Sequence, residues 1–176
     1  MEGMKYKKLN EEVLYTTEAV TRLGKTDMAV LAGMAAETAR HRVRLCTHET
    51  PDSALHEMFI IHRRDAYVRP HMHRGRDESI HILAGEVDIV LFEQDGTILE
   101  LMTMGDYGSG RPFYCRIPKG TMHMLIIKSD VLVFCEATLG PFNRDDAVFA
   151  SWAPADGEER AWDFVAETGR KAREEA

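Results

Sequence analysis

No apolar run in this sequence approaches the roughly 18–20 residues that a membrane helix needs, so no membrane partner is expected. The opening MEGMKYKKLNEEVLY carries lysines but no apolar stretch, which argues against a secretory signal. An excess of basic charge is missing too: the formal net charge is −7, which disfavours a nucleic-acid partner. Cysteine is scarce. Cys46, Cys115 and Cys135 are odd in number, widely spaced and without a C-x-x-C pair. They read as reduced, buried thiols of a cytoplasmic protein, with thiolate ligation or a nucleophilic role as the alternative. Lysine is absent from residues 40–76, where eight arginines stand against four acids, so this stretch is formally +4 inside an acidic chain. Seven of the eight histidines lie between His41 and His81, so imidazole and guanidinium chemistry share one region.

The 176 residues suit one domain, with a helical and extended segment over 1–50, a β-barrel over 55–140, and an arm plus helix over 141–176. TDMAVLAGMAAETAR (26–40) predicts a helix capped by Thr26 or Asp27, with Leu31, Met34, Ala35 and Thr38 on one face. VLYTT (13–17) predicts a short strand. From Leu55 the pattern becomes a series of short β-prone runs: 56–61, 65–73, 78–83, 86–93, 97–102, 113–118, 123–128 and 131–138. Turn signals separate them, among them Ala-Gly, Asp95-Gly96 and Pro-Lys-Gly, as expected of an antiparallel barrel or sandwich. After Gly140-Pro141 the alternation stops. An extended arm follows, with Phe142, Phe149 and Trp152 to bury and a sheet edge to cover. A last helix is expected over 157–172, started by Asp156 with Glu159 at capping-box spacing. Trp162 and Val165 would form its packing face, and it would fray from Gly169.

The stretch PHMHRGRDESIHILAG (70–85) concentrates the chemistry. His71 and His73 are two apart on a strand, so both leave the same face. After the turn RGRD, Glu78 returns a carboxylate to that face, and PKGTMH (118–123) delivers His123 at a strand start. Three imidazoles and one carboxylate suit one divalent transition metal ion: Fe, Zn, Ni or Mn.

These two elements resemble the paired motifs of the cupin superfamily. The first, H-x-H, three or four residues, Glu, six residues, Gly, is matched by His71, His73, Glu78 and Gly85. The second, Pro-x-Gly-x-x-His, is matched by Pro118, Gly120 and His123. Cupins often carry asparagine four residues further on, where this chain has Ile127. RHRVRLCTH (40–48), AYVRPHMH (66–73), ESIHILAGEVDIVLFEQDGT (78–97), IPKGTMH (117–123) and GPFNRDDAVFASWAPADG (140–157) are similar to the WbuC-type family of cupin-fold metalloproteins, which occurs in bacterial polysaccharide gene clusters and has no firmly assigned reaction. The resemblance implies a mainly β fold: a cupin-type antiparallel β-barrel or jelly roll with an N-terminal helix and a C-terminal arm plus helix. It implies His71, His73, Glu78 and His123 as metal ligands, and a homodimer.

Tyr67 and Arg69 share strand parity with the two histidines and are expected to point into the barrel, unless Pro70 disturbs the register. Arg69 would then face either an internal carboxylate or a substrate anion. Arg64 and His48 are further candidates for substrate contact, with Arg40, Arg42 and Arg44 beside them. His81, on the opposite parity from Glu78, reads as a structural or surface histidine, hydrogen-bonded and not a ligand. Tyr114, His48 and Glu57 are candidates for proton transfer, with no spacing that selects one. The expected ligand is a small anionic molecule, a sugar or sugar phosphate. Three functions stay open: a metal-dependent isomerase or epimerase of polysaccharide metabolism, an Fe(II)-dependent dioxygenase, and a non-catalytic sugar-binding or sensor module.

Overall fold

The computed structural model describes residues 3–175. In chain order the elements are β1 (Tyr6–Lys8), β2 (Val13–Thr16), α1 (Lys25–Glu37), β3 (Arg42–Cys46), β4 (Leu55–Arg63), β5 (His71–His73), β6 (Glu78–Ala84), β7 (Glu86–Phe92), β8 (Ile98–Gly105), β9 (Tyr114–Ile117), β10 (Met122–Ile127), β11 (Val131–Leu139), β12 (Ala147–Phe149) and α2 (Ala161–Glu175). Among the described residues they build two sheets, one in the order β1-β2-β3-β4-β11-β6-β9 and the other β12-β5-β10-β7-β8. Pairing is antiparallel except between β2 and β3.

Alternation sets what each sheet offers. On β4, His56, Met58, Ile60 and His62 are buried on the inner side, while Ile61 turns outward. The inner faces meet in a core that includes Ile80, Ile89, Met104, Leu132 and Phe134. Outside the larger sheet, Leu31 and Ala35 of α1 close over Leu14, Val43, Leu45 and Ile61. Outside the smaller one, Ala172 of α2 and the arm cover Val90, Phe92, Met122 and Met124. The buried Asp88 receives Thr103 Oγ1 at 2.8 Å and Arg173 Nη1 at 3.2 Å, which ties the end of α2 to β7.

Several local expectations need correction. Asp27 is not the first cap of α1: Gly24 holds that place, and Asp27 reaches back to its N–H at 2.8 Å. The run 65–73 is a strand only at His71–His73. β3 and β1 were not anticipated: Arg-x-Arg alternation conceals a strand whose inner face is charged. The arm pairs with β5 through β12, covering an edge as expected. α2 starts at Ala161, and Asp156 contacts Arg40 instead of capping it. Trp162 is exposed, and Gly169 is buried against Ile126 with the helix running past it.

Gly85 joins β6 to β7 with φ +91°, and a Cβ there would lie 2.3 Å from Ser129 Oγ and 2.5 Å from the Val131 carbonyl. Gly85→Ala is therefore expected to lower unfolding free energy by about 2 kcal/mol or more, read from chemical denaturation.

Candidate metal centre

His71 and His123 face each other across the β5–β10 pair, so their rings meet at a centroid distance of 4.5 Å. His73 sits one rung along, edge-on to His71 at 5.4 Å. The turn before β10 is held by the Gly120 N–H, which donates to the His73 carbonyl at 2.7 Å, so the two distant motifs are bonded to each other. Glu78 comes from the other sheet. Its two oxygens lie 2.9 Å from His73 Nε2 and 3.2 Å from His123 Nε2. His71, His73 and Glu78 form a cluster whose ligand atoms lie within 4.8 Å of one another and which is able to hold a metal ion.

The outer ring nitrogens decide which atoms face inward. His71 Nδ1–H donates to the Arg69 carbonyl at 2.9 Å and His123 Nδ1–H to the Thr121 carbonyl at 3.0 Å. His73 Nδ1–H donates to Asp146 Oδ2 at 3.1 Å. The Nε2 atoms of His73 and His123 are thereby turned toward Glu78, a contact that either a proton on the imidazole or a shared cation satisfies. Two ligands each about 2.1 Å from one ion and near right angles to each other stand about 3 Å apart, so the observed contacts fit a metal. Burial opposes charge on all these groups. Even so, His123 and His73 hold the Glu78 carboxyl far below the usual carboxylate range. Burial, with His123 alongside, takes His71 down to about 3. For His73, Glu78 outweighs burial and the pKa rises.

Asp146, on the arm, stands behind His73 and was not among the residues that sequence reasoning selected. Its Oδ1 accepts from the Gly75 N–H at 2.6 Å, and its Oδ2 lies 3.1 Å from Arg76 Nε. An aspartate 73 residues from its histidine gives no spacing signal, and only the β12–β5 pairing brings them together.

The centre opens into a cavity of about 550 Å³. Among the described residues, six arginines and no lysine line it, against four carboxyl groups. Arg69 lies on this wall, its guanidinium 5.5 Å from the Phe149 ring, with Nη2 donating to the Ala150 carbonyl at 2.6 Å. No internal carboxylate pairs with it among the described residues. His48 also lines the cavity, stacked on His56 at 4.0 Å. Tyr67 does not: its hydroxyl donates to the Pro154 carbonyl at 2.9 Å, because residues 65–70 leave strand geometry and the parity argument fails there. Arg64 is exposed on the exterior and paired with Asp130 at 3.0 Å. Tyr114 and Glu57 lie outside the cavity lining, and His81 is exposed with its ring 4.5 Å from that of Tyr114. Glu136, also unanticipated, faces the cavity from β11, where burial and the charge of Glu78 push its carboxyl up to about 8. The three thiols are free, and burial pushes that of Cys115 up to about 11.

Comparison with known proteins agrees with this architecture. CapF, a capsular polysaccharide assembling protein from Staphylococcus aureus, superposes with a TM-score of 0.51 at 18% identity, over 64% of this chain and 32% of CapF. The fold is a cupin jelly roll. Weaker likenesses are KdgF from Halomonas sp. (TM-score 0.45, 20% identity, 59% of this chain and 82% of that one) and SO0799 from Shewanella oneidensis (0.46, 17%, 58% and 66%). The chain thus spans about a third of CapF and just under two thirds of SO0799. A family model described as "Domain of unknown function (DUF6016)" matches residues 23–104, which include His71, His73 and Glu78 but not His123. None of the curated proteins compared with the sequence is a match. No helix among the described residues is long and apolar enough to cross a membrane.

Asp146→Asn is expected to weaken metal binding about 10–100-fold while leaving the fold intact, as measured by competition with a chromogenic chelator. A second outcome concerns acid. Burial takes His62 from 6.5 down to about 3. The unfolded chain therefore binds this proton first, and the stabilisation present above pH 6.5 is lost as pH falls from 6.5 toward 3. For metal-free protein, His62→Gln should reduce the slope of unfolding free energy against pH in that window by up to about 1.4 kcal/mol per unit.

Proposed function

We propose that this cupin is a metal-dependent enzyme acting on a small, anionic, sugar-like molecule of polysaccharide metabolism, with isomerase or epimerase chemistry. The observation that carries this reading is the set of inward-facing Nε2 atoms around Glu78, opening onto an arginine-lined, lysine-free cavity. His71, His73, Glu78 and His123 would hold the ion. When bound, it supplies a Lewis-acid centre for a carbonyl or hydroxyl oxygen.

The chain's own groups do the rest. Arg69 anchors a carboxylate or phosphate beside the centre, since a guanidinium offers a planar fork of donors and this one has no acid of its own. Glu136, facing the cavity from β11 with its pKa raised by burial, is the carboxyl placed to carry the proton that isomerisation at carbon requires. His48, stacked and buried, shapes the far wall.

His73→Ala and His123→Ala are both expected to abolish stoichiometric metal, by elemental analysis of protein loaded under controlled conditions, and to abolish turnover of sugar acids and sugar phosphates. Arg69→Gln should keep the metal and lose at least about tenfold in ligand affinity. Retention of metal by His123→Ala would refute the four-ligand centre. Oxygen uptake by iron-loaded protein with such a compound would assign a dioxygenase instead.

A further inference from the structure

Four side-chain nitrogens are buried without a hydrogen-bond partner among the described residues: Arg44 Nε, His62 Nδ1, Arg69 Nε and Arg76 Nε. All four residues line the one cavity. An unsatisfied buried polar group costs about 1–3 kcal/mol, and more when charged; Arg76 Nε has Asp146 Oδ2 at 3.1 Å, which leaves Arg44 Nε, His62 Nδ1 and Arg69 Nε as positions open to a ligand's polar atoms.

They divide between two places. Arg69 and Arg76 flank the metal centre. The Phe149 ring under Arg69 lies 5.9 Å from His71, and Arg76 Nε is 3.1 Å from Asp146, the carboxylate that binds His73. Arg44 and His62 stand on another wall. Arg44 faces Ile60 across the β3–β4 pair, and His62 faces Arg42. From β3 to Glu78 on β6 the sheet takes three strand steps, on the order of 14 Å along its surface.

The second group is also electrostatically open. Arg42 is held by Glu12 at 3.4 Å and Asp156 at 3.7 Å. For Arg44, no carboxylate lies within ion-pair distance among the described residues. Glu136, the acid that shares its cavity wall, makes no ion pair with it. Met58, Ile60 and Phe134 are buried on the same wall, and the Phe134 ring stands edge-on to His62 at 5.4 Å. An uncompensated guanidinium that shares a strand pair and a cavity wall with an unpartnered imidazole is costly to the protein alone and favourable to a bound anion.

We propose that Arg44 and His62 form a second oxyanion station, separate from the metal centre, and that the ligand is a small molecule with an anionic group at each end. One end turns to the metal and Arg69. The other, a phosphate or carboxylate, is held by the Arg44 fork with His62 beside it. The inference rests on the anionic-ligand function above for the metal end only. A cavity of about 550 Å³ is ample for such a molecule.

Inorganic phosphate, titrated into metal-free protein by calorimetry and thermal melting, tests the station by itself. Wild type should be stabilised, and Arg44→Gln should bind phosphate at least tenfold more weakly while melting no lower without it, since no partner of Arg44 is lost. Arg44→Lys should recover part of the affinity. Arg64→Gln, on the exterior, should match wild type. Metal-loaded protein is then titrated with gluconate, glucarate and 6-phosphogluconate. At least one of the two doubly anionic probes should bind tenfold or more tightly than gluconate, and Arg44→Gln should erase that advantage with metal content unchanged. Whichever of the two gains more decides between carboxylate and phosphate. Absence of phosphate binding in wild type, equal affinity in Arg44→Gln, or no advantage of either dianion would overturn the station. Failure to take up metal, with the phosphate result intact, would overturn the proposed enzyme and leave the station standing.

Discussion

The contact on which the site depends is one carboxylate held between two imidazoles. Glu78 belongs to one sheet, and His73 and His123 to the other, so the charge that would bind a cation also fastens the two inner faces together. Such a buried carboxylate is costly unless opposite charge stands close by. Here the compensation converges from two turns, and the hydrogen bond from Gly120 to His73 keeps those turns in register.

The arm extends that constraint outward. β12 lies along β5, placing Phe149 opposite His71 and bringing Asp146 up to His73. Trp152 fastens the arm beyond β12: its ring lies 5.2 Å from Phe92, and its Nε1–H donates to the Gln94 carbonyl at 3.0 Å. The α2 helix then clamps the outer face through Arg173 and the buried Asp88. A segment that covers a sheet edge thus also orients a candidate ligand, and packing and chemistry are joined in one stretch of chain.

Much of the barrel was legible because hydrophobic alternation and turn residues are local signals. Each expected run from 56 to 61 and from 78 onward overlaps an observed strand, and Gly85 occupies a positive-φ turn. Where the signal was local but the environment was not, the reading failed. β3 went unseen because its inward residues include arginines facing a cavity instead of a packed core. Tyr67 was misplaced because Pro70 follows a stretch outside strand geometry, so parity could not be carried back from His71.

The order of residues by itself determined that His71 and His73 share a face, that a turn delivers His123, and that cationic side chains without lysine gather between 40 and 76. These follow from strand periodicity and turn geometry, which act over a few residues. Only the tertiary structure decided that Glu78 reaches both sets of imidazoles, that Asp146 stands behind His73, and that Arg44 and Arg69 face one cavity while Arg64 faces solvent. Those outcomes depend on which strands become neighbours, and that is set by burial summed over both sheets, a quantity no short stretch of sequence contains.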